Sequence, residues 1–130
     1  MTRRTTPCSK ADAKARLAAA RGFLEAAEAV HGDSDPGMSN VVATNAVHAA
    51  IAAADAICCS ALGYRSQGQS HEEAVRHLEQ VDRTASRALQ RALRLKTPSS
   101  YGIAPISRRD QTMLIKQART LIDAAGALLA

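Results

Sequence analysis

The stretch that decides the fold is Val41-Val42-Ala43-Thr44-Asn45-Ala46-Val47-His48-Ala49-Ala50-Ile51-Ala52-Ala53-Ala54-Asp55-Ala56-Ile57-Cys58-Cys59-Ser60-Ala61-Leu62. It is dominated by apolar residues, and the commonest is Ala, the strongest helix former and a residue that strands avoid. At about 1.5 Å per residue such a helix is long enough to cross a bilayer. Ala, however, supplies little insertion free energy, and Asn45, His48 and Asp55 interrupt the run; an Asp near a membrane centre costs about 2.5–3.5 kcal/mol. The stretch therefore reads as a helix sheathed by other helices, with no membrane partner.

The rest of the chain fits that reading. Its 130 residues suit one domain and exclude an enzyme with separate cofactor and substrate domains. A chain of this size buries roughly two-thirds of its unfolded surface, enough for a real core. With 46% hydrophobic residues but 2% aromatic and no Trp, that core is made of small side chains and requires closely approaching helices. The aromatic scarcity also removes base stacking as a mode of nucleic-acid binding, so any RNA or DNA contact is electrostatic.

Working outward, Ser9 and Asp12 form a capping box, and Ala13, Leu17, Ala20, Leu24 and Ala27 step by four and three until Gly32. A first helix is expected over Lys10 to His31. Gly32-Asp33-Ser34-Asp35-Pro36-Gly37 is turn chemistry, with Ser39 or Asn40 capping a second helix over Asn40 to Leu62. Gly63 sits where a left-handed C-cap belongs, and Ser70-His71-Glu72-Glu73 reads as a capping box that starts a third helix at His71. The steps Ala74, Leu78, Val81, Ala85, Ala88, Ala92 and Leu95 allow one helix to Lys96 or two shorter ones broken near Asp82 and Thr84. Thr97 to Gly102 and then Pro105 predict an irregular connection. Ser107 and Asp110 open the last helix, whose apolar side carries Met113, Leu114, Ala118, Leu121, Ile122, Ala125 and Leu128. No strand-like alternation appears. The expected fold is all-α: a bundle of four to five antiparallel helices over residues 10–130, preceded by a flexible basic tail over 1–9.

The net charge of +5 is unevenly placed: Met1 to Asp82 is net −2 and Arg83 to Ala130 is net +7. The asymmetry fits an anionic partner, nucleic acid before an acidic protein, and fits a merely solvated basic face at least as well. Three cysteines, two of them adjacent, do not suggest a disulfide framework, and the polar amino terminus lacks an apolar signal segment. The expectation is a cytoplasmic protein with reduced thiols.

Two groups of residues carry candidate chemistry. Asn45, His48, Asp55 and Cys59 fall on one stripe of the second helix, read first as a helix–helix hydrogen-bond network because buried polar groups are normally satisfied. Neither this stripe nor His71 and His77 has the spacing of a metal site, and no metal or cofactor is expected. The second group is Arg65 and His71, with five residues between them. A helix N-terminus disfavours extra positive charge and keeps an imidazole neutral, ready to act as general base. An Arg beside it grips phosphate bidentately. On spacing alone, a solvent-exposed loop Arg and a His at the first helical position account for the pair better than a catalytic site does.

The run Asn45 to Ile57, then Leu62-Gly63 and Gly68-Gln69-Ser70-His71-Glu72-Glu73-Ala74-Val75, resembles the HEPN superfamily (higher eukaryotes and prokaryotes nucleotide-binding), particularly its small actinobacterial members. Leu95-Lys96, Tyr101-Gly102 and the helix from Ser107 to Ala124 resemble its closing segment. The resemblance implies a helical bundle acting as a homodimer. It implies a metal-independent endoribonuclease of toxin–antitoxin or defence type, with Arg65 and His71 as the catalytic pair, supported by Asn45, Asp55 and Ser66. The residue after the Arg is often Asn, Asp or His in active members; here it is Ser66. Arg87, Arg91, Arg94 and Lys96, along one side of their helix, are the expected phosphate contacts if the groove binds RNA, and equally read as a solvated face. The resemblance also allows a non-catalytic binding partner of a minimal nucleotidyltransferase antitoxin or of another protein.

Overall fold

The structure is a computed structural model and describes residues 5–67 and 71–130. The architecture is all-α. The helices are α1 (Lys10–Val30), α2 (Pro36–Leu62), α3 (His71–Glu79), α4 (Arg83–Leu93), the short α5 (Lys96–Tyr101) and α6 (Arg108–Leu129). Strands β1 (Thr5–Pro7) and β2 (Tyr64–Ser66) pair antiparallel, with Thr5 opposite Ser66, Thr6 opposite Arg65 and Pro7 opposite Tyr64.

α2 is the centre of the bundle. α1 and α6 cover most of it, with α4, α5 and β2 completing the sheath. Ala43, Ala46, Ala49, Ala50, Ala52, Ala53 and Ala56 are fully buried, so the neighbouring helices approach a surface of methyl groups. Interhelical distance follows side-chain size, which is why an Ala-rich helix can be enclosed this closely. Ile57, Leu78, Leu89, Leu114 and Leu121 supply the larger volumes between elements. By length and composition α2 could cross a membrane, yet 67% of its most apolar stretch is buried inside the bundle; this is a core helix.

Helix ends follow local chemistry. Ser9 and Asp12 make the reciprocal capping box of α1, whose buried residues are Ala13, Leu17, Ala20, Leu24 and Ala27. α2 begins at Pro36, four residues before the expected start. Asp35 is its cap, accepting from the Gly37 amide at 2.9 Å, and Pro36 fills the first turn, where a missing N–H costs nothing. Ser39 instead donates to the Pro36 carbonyl and accepts from the Ile106 amide, tying the α5–α6 connection to α2. The break between α3 and α4 is real: Asp82 lies in an extended conformation and accepts from the Ala85 amide at 3.0 Å. The connection expected to be irregular after Lys96 contains α5, held by Asn40 donating to the Ser99 carbonyl at 3.1 Å. The cap residue of the expected Ser70–Glu73 box lies outside the described residues.

Two expectations are corrected together at the amino terminus. Within residues 5–9, part of the segment expected to be a flexible tail, Thr5–Pro7 forms β1 and Cys8 is disulfide-bonded to Cys59, with Cα atoms 5.3 Å apart. Residues 1–4 lie outside the described residues. Gly63 makes this possible. Its φ of 77° turns the chain out of α2 into β2, its carbonyl accepts from the Cys8 amide at 3.0 Å, and β1 then lies against β2. Three-residue strands are too short to show alternation, and the Cys8–Cys59 pairing depends on that turn. Cys58 stays buried, with burial first and then the Asp55 charge pushing its thiol up to about 12, so it remains protonated and inert.

Two substitutions test this packing by denaturant unfolding. Ala53→Leu overfills the α2 sheath and should destabilise by about 1–3 kcal/mol, whereas tolerance without loss would show slack packing. Cys8→Ser opens a loop of 51 residues and should lower stability by about 2–4 kcal/mol under non-reducing conditions, converging with the native chain when dithiothreitol is added.

Candidate functional site

The site gathers where α2, β2 and the start of α3 meet. Asp55 lies on α2 with 9% of its surface exposed, and both of its ion-pair partners come from outside that helix. Arg16 of α1 places Nη2 at 3.2 Å and donates from Nε at 3.3 Å to the Oδ2 oxygen. Arg65 of β2 reaches the same oxygen with Nη1 at 3.6 Å. The tighter partner is Arg16, so Arg65 makes the looser contact, and Arg16 alone would still compensate the carboxylate. Burial nevertheless outweighs both cations and pushes the Asp55 carboxyl above its ordinary value. This is the signature of desolvation exceeding Coulombic repayment.

His71 opens α3. Asp55, Ser66 and His71 border one recess of about 20 Å³, room for roughly one water, otherwise walled by apolar residues such as Ile51, Ala54 and Leu89. Ser66 itself is buried. β2 is steadied against α3 by Tyr64, whose ring meets His77 edge-on at 5.3 Å. α4 is steadied against α3 by Ser86, donating to the Val75 carbonyl at 3.0 Å.

On its outer side His71 faces an open groove between α3 and α4, about 510 Å³ in volume, whose charged lining is Glu72, Arg76 and Arg94. Lys96, at the start of α5, brings Nζ to 2.8 Å from His71 Nε2. An ammonium can only donate, so Nε2 accepts and the imidazole proton sits on Nδ1. Burial first, and the Lys96 charge second, hold His71 below its ordinary value, so the ring is neutral near pH 7.

The structure thus brings Asp55, Ser66 and His71 to one recess, with Lys96 in contact with His71, Arg94 in the adjoining groove, and Arg65 joined to the site through its ion pair with Asp55. It does not bring Asn45 there. That amide donates to the Val41 carbonyl within its own helix at 2.9 Å, and ten residues of helix place it about 15 Å from Asp55. The expected supporting role of Asn45 is therefore corrected to a local one. His48 is exposed and rests on Phe23 at 5.4 Å between ring centroids. Arg87 and Arg91 are exposed on α4 but do not line the groove. Sequence reasoning missed Arg16, which lies 39 residues from Asp55, and Arg76, whose i+4 relation to Glu72 looks like ordinary surface pairing. Among the described residues, no group of three or more His, Cys, Asp or Glu is placed to hold a metal ion. Compared with protein-family models and with curated proteins, the chain matches none.

The raised Asp55 value sets the sign of a pH test. The folded state holds that proton more tightly than the unfolded chain, so the contribution is present at low pH and lost as pH rises through the folded value. The stability of the native chain relative to Asp55→Asn should therefore be greater at pH 3 than at pH 7 in denaturant titrations. An advantage that grew with pH would mean that the two arginines more than repay the burial.

Proposed function

We propose that this protein is a HEPN-like, metal-independent endoribonuclease acting as a homodimer, in a toxin–antitoxin or defence setting. The observation that carries the reading is the state of His71: neutral, at a helix start, and flanked by a groove with Arg76, Arg94 and Lys96 around it. A neutral imidazole is a base at physiological pH, and the ring sits where a phosphodiester would be drawn by the surrounding cations.

The chemistry follows. His71 takes the proton from a ribose 2′-hydroxyl, and the 2′-oxygen attacks the adjacent phosphorus. Arg65, released from its longer contact with Asp55, stabilises the charge that develops on the phosphoryl oxygens. The bond to the 5′-oxygen breaks and that oxygen takes a proton from water, while the His71 imidazolium returns its proton to solvent, leaving a 2′,3′-cyclic phosphate and a 5′-hydroxyl. Arg16 remains on Asp55 throughout, so the buried carboxylate is never left uncompensated. Arg87 and Arg91, outside the groove lining, extend the basic surface for flanking phosphates. The groove offers no aromatic platform, which fits RNA held by its backbone with little base preference. A second reading, a non-catalytic partner of a nucleotidyltransferase, uses the same basic face without the proton transfer.

The test is incubation of purified protein with single-stranded RNA in EDTA. Cleavage yielding cyclic phosphate ends is expected, with His71→Ala slowing it about 10²–10⁴-fold and Arg65→Ala reducing it strongly as well. Intact RNA at high protein concentration would overturn the ribonuclease reading. Light scattering supplies the companion check: a monomer at micromolar concentration would remove the homodimer.

A further inference from the structure

The contact between Lys96 and His71 poses a problem that the cleavage chemistry leaves open. The Nε2 lone pair that a base needs is already occupied by the Lys96 ammonium, 2.8 Å away. The other ring nitrogen carries the proton, because an ammonium has no acceptor to offer. The base is therefore neutral but masked.

We propose that Lys96 is a shared cation: in the free protein it donates to His71 Nε2, and when an RNA phosphate enters the α3/α4 groove it transfers to that phosphate and releases Nε2 as the base. This inference rests on the ribonuclease reading and adds substrate-coupled unmasking to it. Lys96 is then a positioning residue for His71 and a phosphate ligand in turn.

Three features of the site support the exchange. The first is relative strength: an ammonium gains more from a phosphate anion than from a neutral imidazole, since the partner charge is full rather than partial. The second is the electrostatic setting. The titratable groups around His71 are Asp55 on α2, Glu72 and Arg76 on its own helix, Arg94 on α4 and Lys96 on α5, with Arg65 of β2 held against Asp55. Asp55 is engaged by Arg16 and Arg65, so Glu72 is the one carboxylate among the described groove residues, set against Arg76, Arg94 and Lys96. A phosphate relieves that excess. The third is mechanical. α5 is fastened at its far end by Asn40 donating to the Ser99 carbonyl, while Lys96 is its first residue and half-buried, with a four-carbon stem that can swing without moving the helix.

The atoms balance without a further reactant. The ammonium keeps its three protons and changes acceptor from Nε2 to a phosphate oxygen. Nε2 then accepts the 2′-hydroxyl proton, and the ring, already protonated at Nδ1, becomes an imidazolium.

Nitrogen-15 NMR of the imidazoles of the full chain tests this without relying on turnover, with His71 assigned by His71→Gln. The free native protein should show His71 protonated at Nδ1, with a titration midpoint below the ordinary histidine value. Lys96→Met should raise that midpoint and lose the Nδ1–H preference, while the resonances of His31, His48 and His77 stay in place and report an intact fold. Adding an uncleavable 2′-deoxy oligonucleotide to the native protein should likewise shift the Nε2 resonance, and Lys96→Met should reduce the salt slope of oligonucleotide binding by about 1. Inorganic phosphate, run in parallel, separates capture of the phosphate alone from capture of a strand, and either one moving Nε2 supports the exchange. A His71 midpoint and tautomer unchanged by Lys96→Met would overturn the proposal, as would an oligonucleotide that binds and leaves Nε2 untouched. Failure of RNA cleavage with these shifts present would instead overturn only the ribonuclease reading.

Discussion

A carboxylate on a helix enclosed on nearly every side must draw its compensation from the elements that enclose it. Asp55 is that group, and the arrangement of the site follows from it. Arg16 comes from α1 and Arg65 from β2, and both reach the same oxygen. One turn further along α2, Cys59 bonds Cys8, so the same stripe of the helix holds α1 by charge and the segment before it covalently. β1 then lies along β2 and fixes the backbone that carries Arg65. The ion pairs do not make Asp55 a source of stability, since burial outweighs them. Their effect is specificity of placement: a carboxylate inside an Ala-rich bundle leaves one acceptable position for two guanidinium groups.

Much of the fold was legible because its signals are local. The α1 stripe, the Ser9–Asp12 box, the Gly63 turn and the Ser107 cap all concern residues within one or two helical turns, and each appears in the structure. Asp82 left two readings open because it is a weak helix former inside an unbroken apolar pattern; its side-chain bond to the Ala85 amide decides for a break. The amino terminus was misread for the opposite reason. The disulfide joins residues separated by 51 positions, through a left-handed turn and a three-residue strand pair that leave almost no trace in composition.

The site divides along the same line. Arg65 and His71 are visible as a pair in sequence, and Asp55 as a charge in an apolar helix. The stripe that linked Asp55 to Asn45 and His48 was a matter of helical phase, and phase does not specify partners. Asn45 turns back to its own backbone, and His48 packs on Phe23 at the surface. Arg16 and Lys96 acquire their roles only through tertiary contacts, from α1 and from a short helix whose existence was not apparent. The lack of aromatics keeps its meaning: a groove lined by Arg76 and Arg94 beside His71 suits a phosphate backbone and offers nothing for a base to stack on.

The central claim is that Asp55 couples the buried helix to the strand carrying Arg65. A double-mutant cycle in unfolding free energy, with Asp55→Asn, Arg65→Gln and the pair, measures that coupling most directly. The account predicts an interaction of at least about 0.5 kcal/mol, as found for residues in contact within one charged network. Additivity within about 0.3 kcal/mol would contradict it and leave Arg65 to be positioned by the strand pairing alone.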